Sequence, residues 1–321
     1  MRIVLCYPVE AIHLAQIRAA WPGCEIVDAG QERIAAELPQ ADIYCGHAKV
    51  PVPWDDVVAA GRLQWIQSSA AGMDHCLVPS VINSDIIVTS ASGVLAKQVA
   101  DHTMALLAGM LRDLPTYFRA KEKREFIRRP TRDLHGATIG IVGMGRIGLA
   151  VARRLHFGWG MKVLFTKRAA HPEAEMELGA KRVELDELLA QSDFVSVHAD
   201  MNTSTKGMFG AAQCKKMKRT AVFVNTARGP LVDQTALAEA LRSGTIFAAG
   251  LDVTEPEPLP QDHELYKLPN CIIVPHIASA TVETRNAMAR LCANNVLAGV
   301  KGDPLPTWVN PEVAGTRRSG K

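Results

Sequence analysis

The nine residues GIVGMGRIG, Gly140 to Gly148, constrain this 321-residue chain more than any other segment. They begin inside an apolar run, 138–142, that reads as a strand, and they lead into a helical pattern over 146–157. Three glycines carry the constraint. Gly143 permits a tight turn, Gly145 lets a ligand reach the backbone, and Gly148 lets helix and strand pack closely. The N-terminus of the following helix offers N–H groups and the positive end of its dipole, which suit a pyrophosphate. The segment therefore predicts a strand–turn–helix unit that binds a dinucleotide within a parallel sheet.

The rest of the chain fits that unit. Short apolar runs at 3–6, 25–27, 42–45, 63–66 and 86–88 alternate with helix-like stretches such as 9–20 and 31–36. Strands alternating with helices imply a parallel sheet covered on both faces, so the first hundred residues read as one α/β domain. Residues 93–114 carry Val94, Val99, Met104, Leu107 and Leu111 at helical spacing, with Pro115 expected to end the helix. The basic stretch 121–132 reads as solvated surface. A second α/β block has strands expected at 138–142, 162–165, 194–197, 221–225, 245–252 and 271–274. Helices fit at 146–157, 185–190 and 234–243. From Ser279 to about Val300 the pattern is helical again, and this last helix must return to the first domain to complete it. The domains are thus expected at 1–98 with 283–321, the substrate-binding part, and at 99–282, the nucleotide-binding part. The tail from Lys301 to Lys321, ending TRRSGK, reads as loosely ordered.

Composition removes other classes of function. A formal charge of +3 is too small to argue for nucleic acid. No stretch reaches the roughly 18 consecutive apolar residues of a membrane helix, and MRIVLCYP reads as a strand rather than a leader, so a cytoplasmic protein is expected. The seven cysteines form no CxxC pair, and Cys6 and Cys271 sit in apolar runs. They read as buried thiols in a reducing compartment, with neither disulfides nor a metal site.

The second strand of the dinucleotide unit speaks to the cofactor. An Asp or Glu about 20 residues beyond the glycines normally binds the ribose 2′-hydroxyl of NAD. Here the strand ends in Thr166, Lys167 and Arg168, with Lys167 standing 19 residues after Gly148 and no acid in place. A 2′-phosphate would pair with Lys167 or Arg168 and accept a hydrogen bond from Thr166. NADP(H) is therefore favoured over NAD(H), which the site still admits.

Three residues after later strands suit carbonyl reduction. Arg228, in VNTARGPLVD, can clamp a carboxylate and stabilise a growing oxyanion. His276, in PHIASAT, is a suitable proton donor near neutrality. Glu257, in LDVTEPEPLP, can orient that imidazole and favour its charged form, with Glu255 as a competing partner. Asp252 ends the strand before that loop and can accept a hydrogen bond from a nicotinamide carboxamide.

With these motifs in place the chain resembles the D-isomer-specific 2-hydroxyacid dehydrogenase family. The three segments around Arg228, Glu257 and His276 occur in the family's order and near its spacing. QSSAAGMDH and VTSASGVLAKQVADHTMALLAGMLR resemble its substrate loop and crossover region, and the likeness spans roughly 63–300. The resemblance implies an α/β fold of two Rossmann-like or flavodoxin-like domains with parallel sheets and an interdomain active-site cleft. It implies that Arg228 binds and polarises the substrate and that His276 is the general acid–base, with Glu257 as its partner. The backbone amides of Gly72 and Met73 would hold the substrate carboxylate. Val94, Arg146, Ile147, Thr205, Thr226, Ala227, Asp252 and Ala278 would join Gly143, Gly145 and Gly148 at the cofactor. Arg112 matches a structural arginine. A homodimer built through the cofactor domain is also implied.

Asp200 and Ala278 stand where the family usually has proline and glycine, and the aromatic expected over the substrate is either Phe126 or Trp308. The basic end of the second strand is closest in character to NADPH-preferring glyoxylate and hydroxypyruvate reductases. The expected activity is an oxidoreductase of small anionic 2-keto and D-2-hydroxy acids. The alternatives are a dehydrogenase of bulkier 2-hydroxy acids, or a non-catalytic NAD(P)-binding scaffold of corepressor type.

Overall fold

The computed structural model describes residues 1–7 and 10–310. The chain divides into two units, one of Met1–Leu95 with the described residues from Ala280 on, and one of Ala96–Ser279. The changes of unit fall three residues before the expected 98/99 and 282/283.

The first unit begins with β1 (Arg2–Cys6), α1 (Ala11–Ala20), β2 (Glu25–Asp28), α2 (Gly30–Glu37), β3 (Ile43–Gly46), α3 (Trp54–Ala59), β4 (Trp65–Ser68), α4 (Pro79–Ile82) and β5 (Ile87–Thr89). The five strands are all parallel, in the order β2-β1-β3-β4-β5. That is the flavodoxin-like order. β1 explains why such strands read as unbroken apolar runs. Val4 and Cys6 enter one core, and Ile3 and Leu5 enter the core on the other face.

The second unit holds α5 (Ala96–Leu111), α6 (Leu114–Glu122), β6 (Thr138–Val142), α7 (Arg146–Trp159), β7 (Lys162–Thr166), α8 (Pro172–Leu178), β8 (Lys181–Arg182), α9 (Leu185–Gln191), β9 (Phe194–Val197), α10 (Ala211–Lys216), β10 (Val222–Asn225), α11 (Gln234–Arg242), β11 (Ala248–Leu251) and β12 (Cys271–Ile273). Its seven strands pair in parallel, in the order β12-β11-β10-β9-β6-β7-β8. From β6 onward this is the Rossmann order with one strand added. The order reverses between β6 and β9, and ligands of such sheets bind beyond the strand ends at that point.

Some local expectations need correction. Pro115 does not end the long helix, which stops at Leu111. Asp113 takes a left-handed conformation (φ 52°), and Pro115 lies in the first turn of α6, where a missing N–H costs little. The strand expected over 245–252 is paired only at Ala248–Leu251, because the Thr245 and Ile246 amides close α11 on the Ala240 carbonyl. Cys6 is buried as expected, but Cys271 is only half-buried, since β12 is an edge strand.

The chain re-enters the first unit with α12 (Val282–Lys301). Its Ala293 and Val296 fill the core over Ile3 and Leu5, and a side chain on Gly299 would strike the Trp65 ring. A buried polar network seals the junction. Asn295 Nδ2 donates to Gln67 Oε1 (2.6 Å) and Thr307 Oγ1 (3.0 Å), and Thr89 Oγ1 donates to the same Gln67 oxygen (2.6 Å). The tail is not loose where it is described. Val309 N–H donates to the Val88 carbonyl, and Asn310 bonds both Val88 N–H and the Ile86 carbonyl. The segment thereby covers the otherwise open edge of β5. TRRSGK lies outside the described residues. Among the described residues no helix is long and apolar enough to cross a membrane, and no His, Cys, Asp and Glu cluster could hold a metal ion.

Candidate active site

The turn between β6 and α7 shows why each glycine is there. Gly143 has φ 97°, and a Cβ on it would lie 2.6 Å from the Ala199 amide nitrogen. A Cβ on Gly148 would lie 2.4 Å from the Gly143 carbonyl oxygen and 2.9 Å from Ile141 Cγ2. These two glycines are demanded by the protein's own packing. Gly145 is different: a Cβ there would meet nothing within 4 Å, so the space over this backbone is open. Gly145 also caps α7 without a side chain. Closely packed turn, open backbone and helix N-terminus together fit a pyrophosphate. Arg146 is exposed and Ile147 half-buried at the head of α7.

β7 leads to the ribose end of such a ligand. Gly143 N–H donates to the Thr166 carbonyl (3.1 Å), which ties the end of β7 to the turn. Lys167 and Arg168 are exposed, and Arg168 Nη2 reaches Ser204 Oγ at 3.5 Å. Thr205 shapes the loop after β9, its hydroxyl donating to the Asp200 carbonyl (2.7 Å) and accepting from Asn202 N–H (2.9 Å). His198 begins that loop, with Nε2 2.8 Å from Ser196 Oγ, and burial pushes its pKa down to about 3. It is a neutral imidazole under the cofactor turn.

The three expected catalytic side chains follow β10, β11 and β12, which are neighbours in the sheet. Asn225 closes the turn after β10 with its own side chain, accepting from Ala227 N–H (3.0 Å) and donating to the Arg228 carbonyl (2.9 Å). Arg228 is half-buried, and its Nη1 donates to the Ala227 carbonyl (2.8 Å). A Cβ on Gly229 would lie 2.0 Å from the Thr254 carbonyl oxygen. Only glycine lets the Arg228 turn sit this close to the Thr254–Glu257 turn.

Glu257 and His276 meet directly. Oε2 lies 2.8 Å from His276 Nδ1, while Oε1 accepts from Thr254 N–H (3.1 Å). Burial pushes the Glu257 carboxyl up. The His276 hydrogen bond and charge, the Thr254 amide and the Arg228 charge outweigh this and hold it below the usual carboxylate range. Glu255, the competing partner, is exposed, and it is its backbone N–H and carbonyl that bond the Gln234 side chain. His276 is in the left-handed region (φ 52°), held there by its N–H, which donates to the Asp252 (2.8 Å) and Val274 (3.0 Å) carbonyls. With Nδ1–H donated to an ionised carboxylate, Nε2 is the ring atom left to exchange a proton.

Asp252 is wholly buried and pins the segment after His276. Its oxygens accept from Ile277 N–H (2.7 Å) and Ala278 N–H (3.1 Å). Burial raises its pKa, but His102 and these two amides outweigh that and keep it below the usual range. Sequence reasoning expected the helix behind this but missed its polar contacts. His102 Nε2 of α5 lies 3.4 Å from Asp252 Oδ1, and Thr103 Oγ1 lies 3.1 Å from Thr226 Oγ1. The only signal was the polar run Asp101, His102 and Thr103 within a helix that is otherwise mostly apolar.

The remaining expected residues belong to the first unit. Gly72 and Met73 lie in the loop after β4, where the Met73 carbonyl accepts from the Cys76 (3.0 Å) and Leu77 (2.8 Å) amides. Val94 is half-buried just before α5. Of the two aromatics, Phe126 is exposed under the Arg128 guanidinium in the second unit, while Trp308 pairs with Thr89 in the first.

A glycine turn open to a pyrophosphate and an Arg–Glu–His group at adjacent strand ends, in one Rossmann-ordered unit, define a dinucleotide-dependent oxidoreductase. Comparison with known proteins narrows the class. Residues 104–278 match the NAD binding domain of the D-isomer specific 2-hydroxyacid dehydrogenase family. The chain is 42% identical over 259 residues to glyoxylate/hydroxypyruvate reductase B of Citrobacter koseri, covering 79% of this chain and 80% of the relative. It is 42% identical over 277 residues to a glyoxylate reductase of Korarchaeum cryptofilum, covering 84% and 83%. Among solved structures, a glyoxylate reductase from Paecilomyes thermophila superposes with a TM-score of 0.85 at 31% identity, over 97% of this chain and 99% of that one. The chain belongs to the D-isomer-specific 2-hydroxyacid dehydrogenase family, and is an NAD(P)-dependent oxidoreductase.

Proposed function

We propose that this protein reduces a small 2-keto acid of the glyoxylate or hydroxypyruvate type to the D-2-hydroxy acid, catalyses the reverse oxidation, and prefers NADP(H) to NAD(H). The observation that carries the chemistry is the 2.8 Å contact between His276 Nδ1 and Glu257 Oε2. The reductase names of its relatives support the substrate class. The cofactor preference rests on Thr166, Lys167 and Arg168, which end β7 with no acid among them.

When bound, the reduced nicotinamide supplies the hydride. The turn at Gly143, Gly145 and Gly148 holds the pyrophosphate, with Val94, Arg146, Ile147, Thr205, Thr226, Ala227 and Ala278 lining the rest of the cofactor. Asp252 Oδ1 is taken up by Ile277 N–H and faces His102, whereas Oδ2 accepts only Ala278 N–H and keeps a lone pair for the carboxamide. Arg228 donates to the substrate's carboxylate and carbonyl oxygen, and the Gly72 and Met73 amides serve the carboxylate. As negative charge grows on the carbonyl oxygen, Arg228 stabilises it and His276 Nε2 delivers its proton. Glu257 stays ionised and offsets the imidazolium charge. In oxidation His276 takes the proton back.

The test is steady-state kinetics with NADPH and NADH against glyoxylate, hydroxypyruvate, pyruvate and phenylpyruvate. Fast turnover of the small acids with a clear NADPH preference is expected. Turnover of phenylpyruvate alone would move the substrate to the bulky class, and tight cofactor binding with no turnover would favour a scaffold. A cytoplasmic homodimer joined through the nucleotide-binding unit completes the reading.

A further inference from the structure

We infer that Arg182 is a positioning residue for cofactor selectivity, fixing the backbone from which Lys167 and Arg168 face the 2′-phosphate of NADPH. The inference rests on the NADP(H) preference proposed above and adds the device that makes it specific.

β8 is only two residues long and lies at the sheet edge beside β7, with Phe165 in register with Arg182. So short a strand contributes little pairing. Its second residue nonetheless reaches past the end of β7. Arg182 Nε donates to the Lys167 carbonyl (2.9 Å) and Nη2 donates to the Arg168 carbonyl (3.2 Å). One planar guanidinium thus spans two consecutive carbonyls, which its fixed fork of donors suits and a lysine's single ammonium does not. Without it these exposed residues would be free to choose among backbone conformations, and ordering them on binding would cost affinity.

Two further observations favour this over a surface coincidence. Arg168 is steadied from its other side by Ser204 Oγ at 3.5 Å, and Ser204 is fixed in turn by Asn202 Oδ1 at 2.6 Å. Among the described residues, Lys167, Arg168 and Arg182 make no ion pair, while other arginines of this unit, such as Arg153 and Arg242, are paired with carboxylates. Three cations are gathered without a counter-charge where a dianionic 2′-phosphate would lie, and NADH has no group to meet them.

The experiment measures KM and kcat for NADPH and for NADH, with glyoxylate, in the wild type, Arg182→Ala, Arg182→Lys and the double variant Lys167→Ala/Arg168→Ala. The expected result is a rise of about tenfold in the NADPH-to-NADH KM ratio for Arg182→Ala, the size of one lost charge-assisted interaction. Arg182→Lys keeps the charge but not the fork, and is expected to show most of that rise. NADH turnover then reports that both variants are folded. If Arg182→Lys keeps the wild-type ratio, charge alone matters and the positioning role is overturned. An unchanged ratio in Arg182→Ala, or equal losses with both cofactors, overturns it too while leaving the NADPH preference standing. A wild type without NADPH preference, unaffected by the double variant, removes the cofactor reading and this inference together.

Discussion

His276 has an unusual backbone for so bulky a side chain, and the bonds that hold it there also aim its ring. Its N–H is shared by the Asp252 and Val274 carbonyls, and Asp252 takes the next two amides. A left-handed conformation costs on the order of 1 kcal/mol or more, so this over-determination is what keeps the ring opposite Glu257. Gly229 does the equivalent work for Arg228. Gly229→Ala would place a Cβ 2.0 Å from the Thr254 carbonyl oxygen, so the Arg228 turn must shift. A misplacement near 1 Å costs about 10²-fold in rate. The variant should lose turnover on that scale while its circular dichroism stays that of the wild type. Full turnover would mean that Arg228 need not sit against the Glu257 turn. At this scale much was legible in the sequence, because Arg228, Glu257 and His276 each follow an apolar strand in a doubly wound pattern. The choice between Glu255 and Glu257 was not, since they lie two residues apart in one proline-rich loop. The contacts of His102 and Thr103 were illegible as well, because a half-buried histidine and a buried threonine on a helix show their partners only once the helix is packed.

The β6–α7 turn was fully legible, since close packing and ligand access both demand glycine at fixed spacing. β8 was not, as two residues carry no periodicity, and with it went the reach of Arg182 to the end of β7. His198 shows how elements at the sheet's reversal point couple to pH. Its N–H donates to the Val142 carbonyl (2.7 Å), and the neutral ring is held with a pKa of about 3 against an ordinary 6.5. An unfolded chain takes up this proton near 6.5 and the folded one not until about 3, so the proton favours unfolding. The contribution is complete above the ordinary value and is lost as pH falls through this window. The melting temperature of the wild type should therefore drop more between pH 7 and pH 5 than that of His198→Gln. Equal drops would show that the ring is not kept neutral by its burial.

On the scale of the molecule, the chain builds a flavodoxin-like unit, then a complete Rossmann-ordered unit, and returns to close the first. The return of α12 was legible as a helical pattern that the first domain needs for its completion. The docking of the tail on β5 was not, because edge pairing uses backbone groups that any sequence provides. In the proposed reading the second unit seats the dinucleotide and supplies the acid–base pair, and the first supplies a loop of backbone amides. The claim that joins these is that His276 hands its proton to a 2-keto acid. The most direct test is the rate of NADPH consumption with hydroxypyruvate in the wild type and His276→Ala, with cofactor binding measured alongside. Turnover in the variant should fall by about 10²-fold or more while cofactor binding is retained. Turnover at the wild-type rate would contradict the assignment of the proton donor, and with it the mechanism built on His276 and Glu257.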